Sequence, residues 1–355
     1  MKKLINKILY FFITKYCAYN KRSICYDNNK KINNILIFSN TALGDFLFNT
    51  PTIRSIRNKH PDAKIILVGN PKNSDFIKDY PHINKTIYWR NKYRNFISTC
   101  TKIRKEKVDI AVLLHSHSPQ DIFLAWLSNC QYIIKDRANH EDLSLLHGYS
   151  LQSEKHCIQR RLDLAHKYLG ASPTEIQMDI PFKTEASNVL FGSNKYNVAF
   201  QLGASKEFKT WPVELFVQLA TDLSKKIPNI HFYLTGSPNE LGLSDSFLSK
   251  YSGINVTKVT GSLSLRQLPD FIQSCDLLVT NDTGPLHIAI ATKTPTVSMY
   301  GMTKPNLTGP YQDKHLHSVV VSKEPGDENS IRKITAEQVL AECLKQFDTY
   351  KANQL

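Results

Sequence analysis

The chain contains no G-x-G, no G-x-x-x-x-G-K-[ST] and no G-x-S-x-G. The first absence removes the glycine turn of a dinucleotide-binding dehydrogenase. The second excludes a P-loop enzyme, and the third excludes the nucleophile elbow of α/β-hydrolases. No two aspartates are separated by a single residue, so the D-x-D with which many nucleotide-sugar enzymes hold a divalent metal is missing too. The seven cysteines are scattered, odd in number and form no C-x-x-C. That argues against a disulfide framework and against a zinc site, and for a reducing compartment. His115 and His117 share the end of an apolar run, but two histidines without a third ligand make a poor metal site, so no metal is expected. No short-period repeat or low-complexity segment appears.

What is present is an excess of positive charge, +14 over 355 residues, which favours anionic partners. It is spread along the chain except at the start, where residues 1–26 carry six Lys or Arg and no acid. The apolar stretch Ile8 to Ile13 is too short to span a bilayer and is flanked by Lys7 and Lys15. Residues 1–26 are expected to form a basic amphipathic helix lying on an anionic leaflet, the alternative being a helix packed on its own domain. Nucleic-acid binding is supported by charge alone and is not expected.

Two regions of alternating strand and helix follow. In the first, Asn33 to Ser39 reads as a core strand, Asn40 to Asp45 as a turn, and the residues through Lys59 as one helix closed by His60-Pro61. Val108 to Leu114 reads as a buried strand, Asp136 to Ser150 as a loop, and Leu151 to Leu169 as a helix closed by Gly170. The alternation restarts at Asn197, with a helix after Trp211-Pro212, strands at Ile230 to Thr235 and Leu277 to Val279, an edge strand at His317 to Val321 and a terminal helix from Thr335. The expected division is 27–180, a linker at 181–196, and 197–355. Both halves are α/β with a parallel sheet covered on two faces, and polar loops at both sheet mouths describe a cleft.

Candidate chemistry gathers on loops after strands, where open α/β sheets bind ligands. Asp282-Thr283-Gly284-Pro285 breaks a strand and opens a helix, with Thr283 placed to cap it and Pro285 in its first turn. Such a turn offers free N–H groups and the positive end of a helix dipole to a phosphate. An ordinary helix start needs no more than Asp, Thr and Gly, but His287 adds a second titratable group. Asp45 beside Gly44, Lys209 before Trp211, and Glu240 after Gly236-Ser237-Pro238 each follow a strand.

Three blocks carry a resemblance to a known family: ILIFSNTALGDFLFNTPTIRSIRNKHPDAKI (Ile35–Ile65), FQLGASKEFKTWPVELFVQLA (Phe200–Ala220) and CDLLVTNDTGPLHIAIATKTPTVSMYGMTKPNLTGPY (Cys275–Tyr311). The sequence resembles glycosyltransferase family 9, the ADP-heptose:lipopolysaccharide heptosyltransferases. The third block, with D-[ST]-G-x-x-H and P-T-V-x-x-[FY]-G, is the most specific. The resemblance implies a GT-B fold of two Rossmann-like doubly wound domains facing a cleft, with acceptor on the first and nucleotide sugar, expected to be ADP-heptose, on the second. It implies metal-independent, inverting transfer with no cofactor. It makes Asp45 the catalytic base, Lys209 the diphosphate ligand, Glu240 the ribose ligand, and Asp282, Thr283, Gly284, Leu286 and His287 the donor loop. Two departures stand out. Ala204-Ser205 replaces a Thr or Ser pair, leaving Ser205 to act alone, and Leu113-Leu114-His115-Ser116 replaces D-L-x-G.

A cluster of cations is expected around Asp45 to take an anionic lipopolysaccharide core acceptor: Arg54, Arg57, Lys72, His115, His117, Arg160 and Arg161. The expected protein is a monomer, cytoplasmic and peripheral at the inner membrane. Competing readings are transfer of another sugar or to a protein, a nucleotide-sugar epimerase of the same architecture, and an inactive nucleotide-binding homologue.

Overall fold

A computed structural model describes residues 31–90, 95–115, 119–138, 145–150, 154–192, 196–324 and 326–352, together with Phe11. The expected amphipathic segment therefore lies outside the described residues, Phe11 apart. No helix among the described residues is long and apolar enough to cross a membrane. The chain divides into two units, one ending at Phe182 and one starting at Lys183.

The first unit is built on β1 (Asn34–Ser39), β2 (Lys64–Gly69), β3 (Lys85–Tyr88), β4 (Ile110–His115), β5 (Tyr132–Lys135) and β6 (Gly148–Tyr149). Their spatial order is β3-β2-β1-β4-β5-β6, parallel throughout. The two-residue period of a strand sends alternate side chains to opposite faces. Ile35, Ile37, Ile65, Leu67, Ile110 and Val112 pack on one side with Ile53, Ile56, Leu164 and Ala165. Leu36, Phe38, Ile66, Val68, Ala111 and Leu113 pack on the other with Ile122, Phe123 and Leu124. Each fully buried aliphatic side chain contributes about 1.5–3 kcal/mol, which is why these runs are apolar at every position and do not alternate with polar residues.

The second unit repeats the plan with β7 (Tyr196–Gln201), β8 (Ile230–Thr235), β9 (Val256–Lys258), β10 (Leu277–Asn281), β11 (Thr296–Tyr300) and β12 (His317–Val321). The order is β12-β11-β10-β7-β8-β9, again all parallel. Read from the opposite edge it matches the first unit strand for strand. In each unit the connection reverses direction between the first and fourth strands, β1 and β4 or β7 and β10. The carboxyl ends of those pairs are the topological switch points.

Four local features differ from the sequence reading. The helix after β1 is two helices, Leu43–Leu47 and Thr50–Lys59. Pro51 has no N–H to continue the first helix, and Asn49 turns inward to donate to Ser39 Oγ at 2.6 Å. Within the stretch read as a loop, Gly148–Tyr149 pairs with β5. Strand β9, three residues on a sheet edge with little burial, carries no apolar run to announce it. Residues 183–192, read as linker, are stitched to the second unit: Glu185 N–H donates to Arg266 O at 2.9 Å and Ser187 N–H to Asp270 Oδ2 at 2.8 Å.

Candidate functional site

In the second unit, the loop after β7 is held by the last residue of β10. Asn281 donates through Nδ2 to Leu202 O at 3.0 Å, and its Oδ1 accepts the Trp211 backbone N–H at 3.0 Å. Trp211 is fully buried, with its indole N–H on Ile334 O at 2.8 Å. This fixes both ends of the loop 202–210. Lys209, in the single turn Glu207–Lys209, is thereby delivered to the switch point, where its Nζ lies 2.6 Å from Asp282 Oδ2. Asp282 is 7% exposed and Lys209 is half-buried, so this ion pair is sheltered from solvent screening.

The helix Gly284–Ala291 starts directly after Asp282. Thr283 occupies the capping position, but its side chain makes no cap bond, contrary to the expected N-cap; its hydroxyl lies 3.4 Å from Thr280 Oγ1. The first-turn N–H groups of Gly284 and Leu286 are left for a ligand, Pro285 contributing none. The Leu286 side chain is core, so only its backbone serves the site, and His287 is buried within the helix. Ser205 is exposed on the loop.

Glu240 sits at the mouth of β8. Its Oε2 accepts the Ser237 N–H at 2.6 Å and the Ser237 hydroxyl at 2.8 Å, closing a capping box. Its Oε1 accepts Gln201 Nε2 at 3.0 Å. A Cβ added to Gly203 would stand 1.8 Å from Glu240 Oε1, so glycine is required there for the carboxylate to lie over the end of β7. Gln201, Gly203 and Asn281 were not singled out from the sequence. No motif marks them, because the partners that give them a role are distant in sequence: Gln201 meets Glu240, 39 residues on, and Asn281 meets Gln201 O, 80 residues back.

In the first unit, Asp45 lies half-buried in the first turn of Leu43–Leu47, at the mouth of β1. Beside it, both side-chain amide atoms of Asn40 and the hydroxyl of Thr41 are buried without a hydrogen-bond partner among the described residues. A second group forms at the ends of β4 and β5. Asp136 accepts from Arg160 Nε at 2.5 Å, Arg160 Nη2 at 3.0 Å and Arg161 Nε at 3.3 Å, and Ser150 Oγ donates to it at 2.7 Å. Burial pushes the Asp136 carboxyl up, but the Arg160 hydrogen bond and the Arg161 and Arg160 charges outweigh this and hold it below the ordinary carboxylate range.

Arg161 also reaches His115 Nδ1 at 3.1 Å. Arg137, in a left-handed conformation with φ 55°, completes the group. Burial and the neighbouring Arg160 charge lower its pKa. Arg137 Nε and Arg161 Nη1 are buried without a partner among the described residues. The same charges reach the buried Cys157 thiol: burial raises its pKa, Arg161 and Arg160 lower it, and Asp136 and Asp45 raise it again. Asp45 and the arginines thus both act on the Cys157 thiol.

Two of the expected acceptor residues are corrected. Arg57 donates to Pro61 O at 2.9 Å and Ala63 O at 2.7 Å, and to the Asn84 side chain, all at the amino ends of β2 and β3. That is the end of the sheet away from Asp45. Arg54 is ion-paired with Asp179 and Glu175 and donates to Gln177 O at 2.7 Å. Both clamp the fold. Lys72 is exposed just past β2, and His117 lies outside the described residues. Asp136 and Arg137 are missed by the sequence reading, which makes Asp136 the start of a loop. Among the described residues, no group of three or more His, Cys, Asp or Glu is arranged to hold a metal ion.

The profile of glycosyltransferase family 9 (heptosyltransferase) matches residues 125–337, more than half of the chain. The chain is 26% identical over 285 residues to lipooligosaccharide heptosyltransferase 2 of Campylobacter jejuni, covering 79% of this chain and 85% of the relative. Among solved structures it is similar to a family 9 glycosyl transferase of Veillonella parvula, with TM-score 0.75, 22% identity, and 90% and 99% of the two chains covered. It is also similar to an Escherichia coli heptosyltransferase solved with ADP, with TM-score 0.70, 18% identity, and 88% and 99% covered.

Proposed function

The chain belongs to glycosyltransferase family 9 and has its GT-B fold, and from that premise we propose that it transfers a heptose from ADP-heptose to an anionic sugar of a lipopolysaccharide or lipooligosaccharide core. The transfer is a single inverting displacement without a metal ion. The observation that supports this most is the second switch point: Lys209 paired with buried Asp282 beside the uncapped first turn of Gly284–Ala291. An ammonium has three N–H donors, and Asp282 takes one. Two remain for diphosphate oxygens, with the N–H groups of Gly284 and Leu286 and the helix dipole alongside. Glu240, fixed at three points, takes a ribose hydroxyl.

In the step itself, Asp45 removes the proton from an acceptor hydroxyl. That oxygen forms its bond to the anomeric carbon from the side opposite the diphosphate, and the bond to the departing phosphate oxygen breaks with its electron pair. Lys209 and the backbone donors stabilise the charge that builds there, and one well-placed donor of this kind is worth about 3 kcal/mol in the transition state. Among the described residues Arg137, Arg160 and Arg161 gather on Asp136, and an acceptor carboxylate or phosphate offsets the surplus positive charge. His115, Lys72 and His117 extend that acceptor reading. The six cations of residues 1–26 support peripheral contact with an anionic cytoplasmic leaflet, and the protein acts as a monomer.

A panel of ADP-, UDP- and GDP-sugars tests the donor. Thermal stabilisation and turnover should be largest with ADP-heptose. Stabilisation by a uridine or guanosine sugar and none by ADP-heptose or ADP would defeat the reading.

A further inference from the structure

Gln201 is the last residue of β7 and is 3% exposed. Its amide orientation is settled by its partners. Nε2 faces two acceptors, Glu240 Oε1 at 3.0 Å and Gly203 O at 3.3 Å, and the flipped amide would set an oxygen against a carboxylate. This leaves Gln201 Oε1 buried with no hydrogen-bond partner among the described residues. A buried unpartnered acceptor is destabilising, and a leucine or methionine of similar size would remove it. What an apolar residue cannot supply is the N–H that points at Glu240.

A carboxylate has about four lone-pair positions. In Glu240 the Ser237 N–H and hydroxyl occupy Oε2, and Gln201 occupies one position on Oε1. One position on Oε1 stays open, and its direction is set by the Gln201 bond. The clearance over Gly203 lets the carboxylate lie there but does not aim it. We propose that Gln201 is a positioning residue that orients Glu240 to accept one ribose hydroxyl of the donor nucleotide, and so sets discrimination between ribo- and deoxyribonucleotides. This rests on the donor site proposed above.

The test is calorimetric binding of ADP, 2′-deoxy-ADP and 3′-deoxy-ADP to the full chain and to Gln201→Leu, Gln201→Met and Glu240→Ala. For the unaltered chain, one of the deoxy forms should bind roughly 10-fold or more weakly than ADP, the scale of a hydrogen bond to a charged group. Gln201→Leu should bind ADP roughly 10-fold more weakly and lose that discrimination, while its melting temperature stays level or rises. A merely structural role moves these readouts otherwise, lowering the melting temperature and weakening all three nucleotides alike. Gln201→Met keeps the length of the side chain and should behave as Leu, so the question stays answerable if Leu packs badly. Retained discrimination in both Gln201 variants, with loss in Glu240→Ala, would overturn the inference and leave the donor site standing. ADP affinity indifferent to Glu240→Ala would sink the donor site itself.

Discussion

The two units share a strand order and a parallel register, yet they hold charge at their mouths in different ways. The second unit pins its acids singly. Glu240 is held by neutral donors from Ser237 and Gln201, and Asp282 by one lysine. The first unit concentrates cations: Arg160 and Arg161 close on Asp136, and Arg137 stands by. One topology therefore supports a mouth whose acids are each held by a few hydrogen bonds and a mouth where arginines crowd one aspartate. The difference resides in a few residues at the strand ends, and nothing in the layers beneath requires it.

The largest expected effect breaks the comparison at its chemical step. Asp45→Asn should lower turnover by about 100-fold or more, the scale of a lost general base, while ADP affinity in the second unit is unchanged. Single-turnover kinetics together with ADP titration checks this, and near-normal turnover would rule out the mechanism. Next is Asp136→Asn, which leaves two buried guanidinium groups without their anion. A loss of about 3–5 kcal/mol in the first unit is expected by urea unfolding, partly restored by inorganic phosphate. The pH dependence follows from the same carboxyl. Its folded pKa is depressed, so its contribution is complete above the unfolded value and fades as pH falls through the lower folded one. A variant as stable as the parent would show that Asp136 is not the counterion.

A smaller effect sharpens the acceptor side. Arg161→Met should raise the acceptor KM roughly 10-fold, leave ADP affinity alone, and weaken the dependence of acceptor KM on salt. Arg57→Ala, by contrast, should disturb stability and leave acceptor KM where it is, because Arg57 spends its donors on the backbone at the far end of the sheet. Equal kinetic effects at both positions would mean the cations act only as a diffuse surface charge.

What could be read in advance follows the distance over which each feature is decided. β1, β4, β7 and β10 are short apolar runs, and a buried parallel strand has no other way to appear. The Ser237–Glu240 capping box spans three residues and sits in plain view. Asp282 and Lys209 each announced themselves as residues at strand ends, but their pairing crosses 73 residues and exists only once β7 and β10 are adjacent. Arg160 and Arg161 are legible as cations, but their pairing with Asp136, 24 and 25 residues back, is invisible for the same reason. Arg54 and Arg57 misled because three-residue spacing on a helix places two side chains on one face without saying which end of the sheet that face meets. The break at Phe48–Asn49 has its signal in Pro51, which lacks the N–H that a continuous helix would need.

The smallest expected effect is none at all, and it bears on how the second unit handles charge. A departing diphosphate needs positive charge, from a divalent cation or from the protein. Holding a cation takes several converging carboxylates or histidines, whereas no group of three or more gathers among the described residues, Asp282 already shares an oxygen with Lys209, and Glu240 keeps only one position on Oε1 open. The protein's own donors are then two N–H groups of Lys209 and the first turn of Gly284–Ala291. Turnover should accordingly survive EDTA unchanged. Lys209→Met should cost about 100-fold or more in kcat, and added Mg²⁺ should not restore it, since no ligand set among the described residues replaces the ammonium. Loss of activity in chelator, or recovery of the Lys209 variant by Mg²⁺ or Mn²⁺, would transfer the charge stabilisation from lysine and backbone to a metal and overturn this account of the leaving group.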